Sequence, residues 1–150
     1  MINKRSCKES ALALLLRRDY ATQELIQKLK YKGYLADNIN QVMDELARIG
    51  YLQDERYTAN LIEKYRRKGI GPRRVLIELT KRGISEELIE KFLQDTDLVW
   101  QISAHTAWTK RFKGQKSQHR LERGKQIRFL QYRGFTDEQI KKVVNEMSEG

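Results

Sequence analysis

The sequence predicts an all-α fold: a tandem array of three three-helix repeats, elongated and curved. Three observations predict it. Only one proline, Pro72, interrupts the 150 residues, and apolar residues recur at helical spacing almost throughout. A helix-stop signature occurs three times, as Leu29-Lys30-Tyr31-Lys32-Gly33-Tyr34, Leu79-Thr80-Lys81-Arg82-Gly83-Ile84 and Leu130-Gln131-Tyr132-Arg133-Gly134-Phe135. Its glycines stand 50 and 51 residues apart, and each is followed by a matched apolar stripe. A unit that cannot bury its own face stacks on the next, so the period predicts an array.

Each unit opens with a helix. Residues 8–18 carry Leu12, Leu15 and Leu16; residues 54–68 carry Tyr57, Leu61, Ile62 and Tyr65; residues 97–112 carry Leu98, Ile102, His105 and Phe112. The second helix of each unit ends at the stop signature. There a cation complements the negative end of the dipole, and glycine takes the left-handed cap. The third helix places Ile39 and Val42, Ile89 and Phe92, or Ile140 and Val143 on one face. Asp37, Ser85 and Thr136 stand where these helices should begin, and Thr136 with Gln139 makes a capping box. The units divide as residues 1–50, 51–96 and 97–150.

An apolar content of 39% with 33% charged residues argues for thin packing rather than one thick core. A lone cysteine, Cys7, excludes an intramolecular disulfide and fits a reducing cytoplasm. With two histidines it offers no metal spacing, and no cofactor is expected. The longest apolar run, Ala11 to Leu16, is far too short to span a membrane.

The formal charge of +10 favours a polyanionic partner, and its distribution is regular. Residues 66–84 hold seven cations to one anion, and residues 110–134 hold nine to one. Residues 36–65 and 85–109 are net acidic. Each middle helix with its flanks is therefore basic, and units stacked in register would present a basic stripe. Dipole complementarity accounts for Lys32, Arg82 and Arg133. It does not account for Arg73 and Arg74, which follow Gly69-Ile70-Gly71-Pro72 at a helix start, where cations are disfavoured. Two readings stand: a phosphate or carboxylate clamp beside free backbone N–H groups, or a tight helix–helix joint that carries two arginines.

No convergent catalytic site is evident, so a non-catalytic binding protein is expected. Asp54 and Glu55 open a helix, as acids do. Cys7 has Lys4, Arg5 and Lys8 beside it, but is read as incidental. His105 falls on an apolar stripe, and His119 lies in the basic stretch and suits an anion contact. Gly69 and Gly71 lack the ending of a P-loop. Tyr31, Tyr65 and Tyr132 lie among cations, where stacking on bases or packing at joints is open; packing is favoured for Tyr65. Trp100 and Trp108 are read as core or inter-repeat residues.

Tyr51-Leu52-Gln53-Asp54-Glu55-Arg56-Tyr57-Thr58-Ala59, with Arg66-Arg67-Lys68-Gly69-Ile70-Gly71-Pro72-Arg73-Arg74 and Leu79 to Ile84, resembles the centre of the RecX family, regulators of the bacterial RecA recombinase. Arg128 to Phe135 resembles that family's third repeat. The resemblance runs from about Ser10 to Met147. Gln53 stands where the family often has an acid, and Thr58 where it often has alanine. The resemblance implies tandem three-helix repeats, binding in the groove of the RecA–DNA filament, and inhibition of ATPase, strand exchange and co-protease activity. It also implies a place in recombination, DNA repair and the SOS response, and direct DNA binding by some members. A monomer is expected. The contact candidates are Arg66, Arg67, Lys68, Arg73, Arg74, Lys81, Arg82, Lys110, Arg111, Lys113, Lys116, Arg120, Arg123, Lys125 and Arg128. The alternative is a stand-alone DNA-binding helical regulator of helix-turn-helix type.

Overall fold

The computed structural model describes residues 5–149, with side chains described through Asn145; Lys4, one of the cations near Cys7, lies outside this range. Among the described residues there are nine helices and no strand: α1 Cys7–Arg17, α2 Thr22–Tyr31, α3 Ala36–Arg48, α4 Asp54–Arg67, α5 Pro72–Lys81, α6 Glu86–Phe92, α7 Leu98–Phe112, α8 Arg120–Arg133 and α9 Asp137–Glu149. They form three successive triplets.

The three stop signatures work by one mechanism. Gly33, Gly83 and Gly134 adopt φ of 98°, 79° and 95°. The next residue then turns its N–H back to the signature's leucine: Tyr34 to Leu29 O at 3.2 Å, Ile84 to Leu79 O at 3.1 Å, and Phe135 to Leu130 O at 3.2 Å. All three leucines are fully buried. The turn thus satisfies an orphan carbonyl and closes an apolar contact together. At the following helix starts, Ser85 accepts the Leu88 N–H at 3.2 Å. Thr136 and Gln139 cap each other at 3.2 and 2.9 Å. Asp37 does not cap: Leu35 holds that position, and Asp37 sits in the first turn, where the dipole alone favours it.

Three apolar clusters follow the triplets, but two residues cross over. Ala21, from the α1–α2 connection, and Trp100, from α7, both enter the middle cluster with Tyr57, Leu61, Val75 and Leu79. Neighbouring units therefore share a core. Trp108 fills the third cluster, and its indole N–H donates to buried Gln126 at 2.9 Å.

Of the stripe expected on α7, Phe112 packs against the third cluster, while the rest proves to be an outer edge. Leu98 and Ile102 are 71% and 55% exposed, and His105 is half-buried, bonded to the Gln101 carbonyl. The buried face carries Trp100, Ser103, Ala104, Ala107 and Trp108. Small residues there let the neighbouring helices approach closely, a signal that counting large aliphatics misses. The accessible surface is 10298 Å². A compact 17.8 kDa monomer would expose about 8,000 Å², so the chain is extended rather than spherical.

The middle helices of successive units meet at their ends. The Gly71 N–H donates to Arg133 O at 2.6 Å and the Arg73 N–H to Gly134 O at 2.9 Å. The α5 N-terminus thus abuts the C-terminal turn of α8. At the other end of α5, a Cβ on Gly83 would lie 2.5 Å from Cβ of Gln23, in the first turn of α2. Positive and negative helix ends are paired in this order, α8 to α5 to α2. Asp54 of the second unit adds a cap across the boundary, accepting from the Thr22 N–H at 2.9 Å and hydroxyl at 3.0 Å.

Candidate anion-binding face

The α5 N-terminus is not a free clamp. Its N–H groups at Gly71 and Arg73 are spent on α8 carbonyls, leaving no backbone cradle for a phosphate there. This also explains the misplaced arginines. The α8 C-terminus brings its negative dipole end to the same place, so the cations complement a neighbour's helix rather than their own. Arg74 reaches the Tyr132 carbonyl at 3.4 Å and lies 5.4 Å from that ring's centroid. Arg73 projects instead into a groove of about 530 Å³ with Asp95, Asp97, Asp137 and Glu138.

Cations gather elsewhere. A cleft of about 250 Å³ is lined by the end of α4, one side of α7 and the end of α8. Its walls carry Arg66, Arg67, Lys68, Lys110, Arg111 and Arg133, with no carboxylate. Five of these were contact candidates, now drawn from two different units into one place. Arg133 was not among them. Its Nη1 donates to Lys68 O at 3.0 Å, and its guanidinium lies 5.0 Å from the Phe129 centroid. The available signal was its position just before a capping glycine, shared with Arg82.

Internal pairing separates the cations further. Arg66 and Arg67 both pair with Glu63, the first through Nε at 2.9 Å and the second at 3.0 Å. The Arg66 hydrogen bond, foremost, holds the Glu63 carboxyl below its usual range. Among the described residues no carboxylate lies within ion-pair distance of Lys68, Lys110, Arg111 or Arg133.

The equivalent cleft between the first and second units has about 300 Å³, lined by Arg18, Asp19, Tyr57, Asn60, Leu61, Lys64 and Arg82. Here Glu24 engages Arg18 and Arg82, and among the described residues Lys64 alone of the cations lacks a carboxylate in ion-pair reach. Glu24 accepts from the Ala21 N–H at 3.1 Å, Tyr57 OH at 2.9 Å and Arg18 at 3.2 Å, with Arg82 at 4.0 Å. Arg82 also binds Glu78 at 2.9 Å and donates to Tyr57 OH. Burial alone would raise the Glu24 pKa, but the donors from Ala21, Arg18 and Tyr57 outweigh it and lower it. Burial likewise works against the Arg82 cation, yet Tyr57 and Glu78 hold its pKa above the ordinary value. Arg82 is thus a joint residue, with its side chain 24% exposed.

The remaining candidates are scattered. Lys81 is exposed in a groove beside Tyr31. Lys113 ends α7 in the left-handed region at φ 55°. Lys116 and Arg120 are exposed around the α7–α8 connection. Arg123 bonds Asn145 of α9, Lys125 lies 3.9 Å from Glu122, and Arg128 is exposed on α8. Tyr31 and Tyr132 are 93% and 77% exposed, whereas Tyr65 packs half-buried against the middle core. His119 is exposed at the α8 N-cap. Among the described residues no cluster of His, Cys, Asp or Glu is fit to hold a metal, and no helix is long and apolar enough to cross a membrane.

Family models for the first, second and third three-helix domains of RecX match residues 7–46, 54–93 and 103–144. The chain belongs to the RecX family. It is 39% identical to the regulatory protein RecX of Vibrio vulnificus (strain CMCP6) over 141 residues, covering 94% of this chain and 92% of the relative. Identity to the regulatory protein RecX of Legionella pneumophila (strain Corby) is 40% over 139 residues, covering 93% of each. Against that of Pseudomonas putida (strain GB-1) it is 34% over 138 residues, covering 92% of this chain and 88% of the relative. The crystal structure of RecX from Lactobacillus salivarius superposes with a TM-score of 0.81 at 20% identity, covering 96% of both chains. A second structure, of a regulatory protein RecX, gives 0.79 at 19% identity, covering 93% of this chain and 71% of the other. These two carry the fold, and the named relatives carry a regulatory rather than an enzymatic description.

Proposed function

We propose that the chain regulates the RecA recombinase by lying in the groove of the RecA–DNA filament, where it suppresses ATP hydrolysis, strand exchange and co-protease activity. The observation that supports this most is the cleft between the second and third units, with six cations and no acid on its walls. A RecA–DNA filament carries DNA phosphates along its length, and surplus positive charge on an extended molecule suits such a polyanion. Joined units can touch more than one recombinase protomer. Occupying the groove would block a second DNA and resist the motions that accompany ATP hydrolysis. No step of this requires catalysis by the chain itself.

The test is to add the protein to a preformed filament and follow ATP hydrolysis. A falling rate is expected, with inhibition weakened by Lys110→Glu combined with Arg111→Glu at unchanged helicity. An unchanged rate would refute the proposal. Exposure of Tyr31 and Tyr132 among cations favours a second reading, direct binding to naked DNA. Tight naked-DNA binding with a steep salt slope, beside weak filament binding, would select that reading.

A further inference from the structure

We propose that the cleft between α4, α7 and α8 is a binding site for a polyphosphate, a short chain of linked phosphoryl groups as in a free triphosphate or the tail of a nucleotide. The first support is a comparison inside the molecule. The two inter-unit joints are built alike: each sets the end of one unit's first helix against the next unit's first helix, with the arginine before a capping glycine closing the cleft. At the first joint Glu24 pairs with Arg18 and lies 4.0 Å from Arg82, so among the described residues Lys64 alone of its cations lacks a carboxylate in ion-pair reach. At the second, no carboxylate lines the wall, and although Glu63 beside it holds Arg66 and Arg67, four cations are left without one. The same joint architecture thus leaves far more positive charge unpaired at the second joint, available to something outside the fold.

The second support is how the cleft treats its own backbone. The C-terminus of α4 ends here, and bare carbonyls would repel an anion. Two are covered: Ser103 Oγ donates to Arg66 O at 3.1 Å, and Arg133 donates to Lys68 O at 3.0 Å. The Arg133 guanidinium is thereby held in place at the cleft wall, so ordering it costs the ligand little. Lys68, Lys110 and Arg111 complete the donors, and none has a carboxylate in ion-pair reach among the described residues.

The third support is size. At about 250 Å³ the cleft falls below the ~300–1,000 Å³ of pockets that enclose whole drug-sized ligands. It can take a run of phosphates and leave sugar and base outside. This site stands on the chain alone and does not depend on the recombinase proposal.

Sodium triphosphate is the probe, titrated into the isolated chain by calorimetry at low salt. Saturable binding of one triphosphate per chain is expected. Lys110→Glu with Arg111→Glu should raise its Kd by about tenfold or more, since charge-assisted contacts are lost. Lys30→Glu, at the end of α2 in the first unit, should change it less than about twofold. All three positions are exposed, and far-UV dichroism checks folding. A short single-stranded oligonucleotide should fail to displace triphosphate; displacement would reassign the cleft to a nucleic-acid backbone and overturn the polyphosphate site. Absence of saturable binding, or equal weakening by Lys30→Glu, would overturn it as well. Either result with filament inhibition intact would reject the cleft and leave the regulatory proposal standing.

Discussion

Replacing Gly71 by alanine tests how the second and third units are joined. The backbone at Gly71, with φ −85° and ψ 169°, is open to any residue. The obstacle is the neighbour. A Cβ there would lie 2.4 Å from the Gly134 carbonyl carbon and 2.5 Å from both Gly134 O and Phe135 N. These are backbone atoms, and no rotamer change moves them. The α5 N-terminus must draw back from α8, straining the bonds at 2.6 and 2.9 Å. Overpacking costs about 1–3 kcal/mol, and each lost hydrogen bond about 0.5–1.5 kcal/mol. The stiffer unfolded chain returns about 0.4–1 kcal/mol. The net is a destabilisation of about 1–6 kcal/mol, read from urea midpoints. Gly124→Ala is the control. It lies inside α8, and its new methyl would meet only the mobile end of Arg128 at 3.2 Å. Helix propensity should make that variant more stable by up to about 1 kcal/mol. Two glycine-to-alanine changes of opposite sign are expected. A Gly71→Ala protein as stable as the original would refute the end-to-end junction.

Glu24→Gln should destabilise the first joint by about 1–3 kcal/mol, because a half-buried acceptor shared by Arg18, Tyr57 and the Ala21 N–H loses its charge. Its depressed folded pKa fixes the pH dependence: the contribution is whole above the ordinary carboxylate range and disappears as pH falls through the lower folded value. The gap in urea midpoint between the original and Glu24→Gln should narrow in acid; a gap that widened there would reverse the assignment. Cys7 is buried, and burial pushes its thiol pKa up. It should react with a maleimide about tenfold or more slowly in the folded than in the urea-unfolded chain, and equal rates would contradict its packing. Arg73→Glu with Arg74→Glu should weaken filament inhibition and also lower the urea midpoint, because the new carboxylates would face the negative end of α8 and the acids of the Arg73 groove; full inhibition would remove the α5 start from the interface.

The repeat was legible because its punctuation is local. A glycine with positive φ, a leucine before it and an apolar residue after it make one self-contained turn, and they act alike at Gly33, Gly83 and Gly134. What was not legible is set by partners distant in sequence. Asp54 caps α2 across the boundary, a role that its place at the start of its own helix does not announce. Arg73 and Arg74 looked anomalous because the compensating dipole belongs to α8. The α7 face was misassigned because close approach selects Ser103, Ala104 and Ala107, which carry little weight in a hydrophobic periodicity. Charge density along the chain located the basic regions, but spread the candidates over every cation in them except Arg133.

The joints also bear on where binding strength can come from. A cation already held by a carboxylate must exchange that partner for an external anion, so it contributes little net attraction. Arg82 is held by Glu78, Tyr57 and Glu24, and Arg18 by Glu24. Reversing Arg82 would therefore disturb the joint first and binding only through it. Lys68, Lys110, Arg111 and Arg133 carry no such exchange cost. Two proteins with the same +10 charge could thus bind very differently, depending on how much of it the inter-unit joints consume. In this chain the first joint consumes Arg18 and Arg82, and the second leaves Lys68, Lys110, Arg111 and Arg133 available. Charge reversals that spare stability but weaken anion binding should accordingly cluster at the second joint, and those that cost stability at the first.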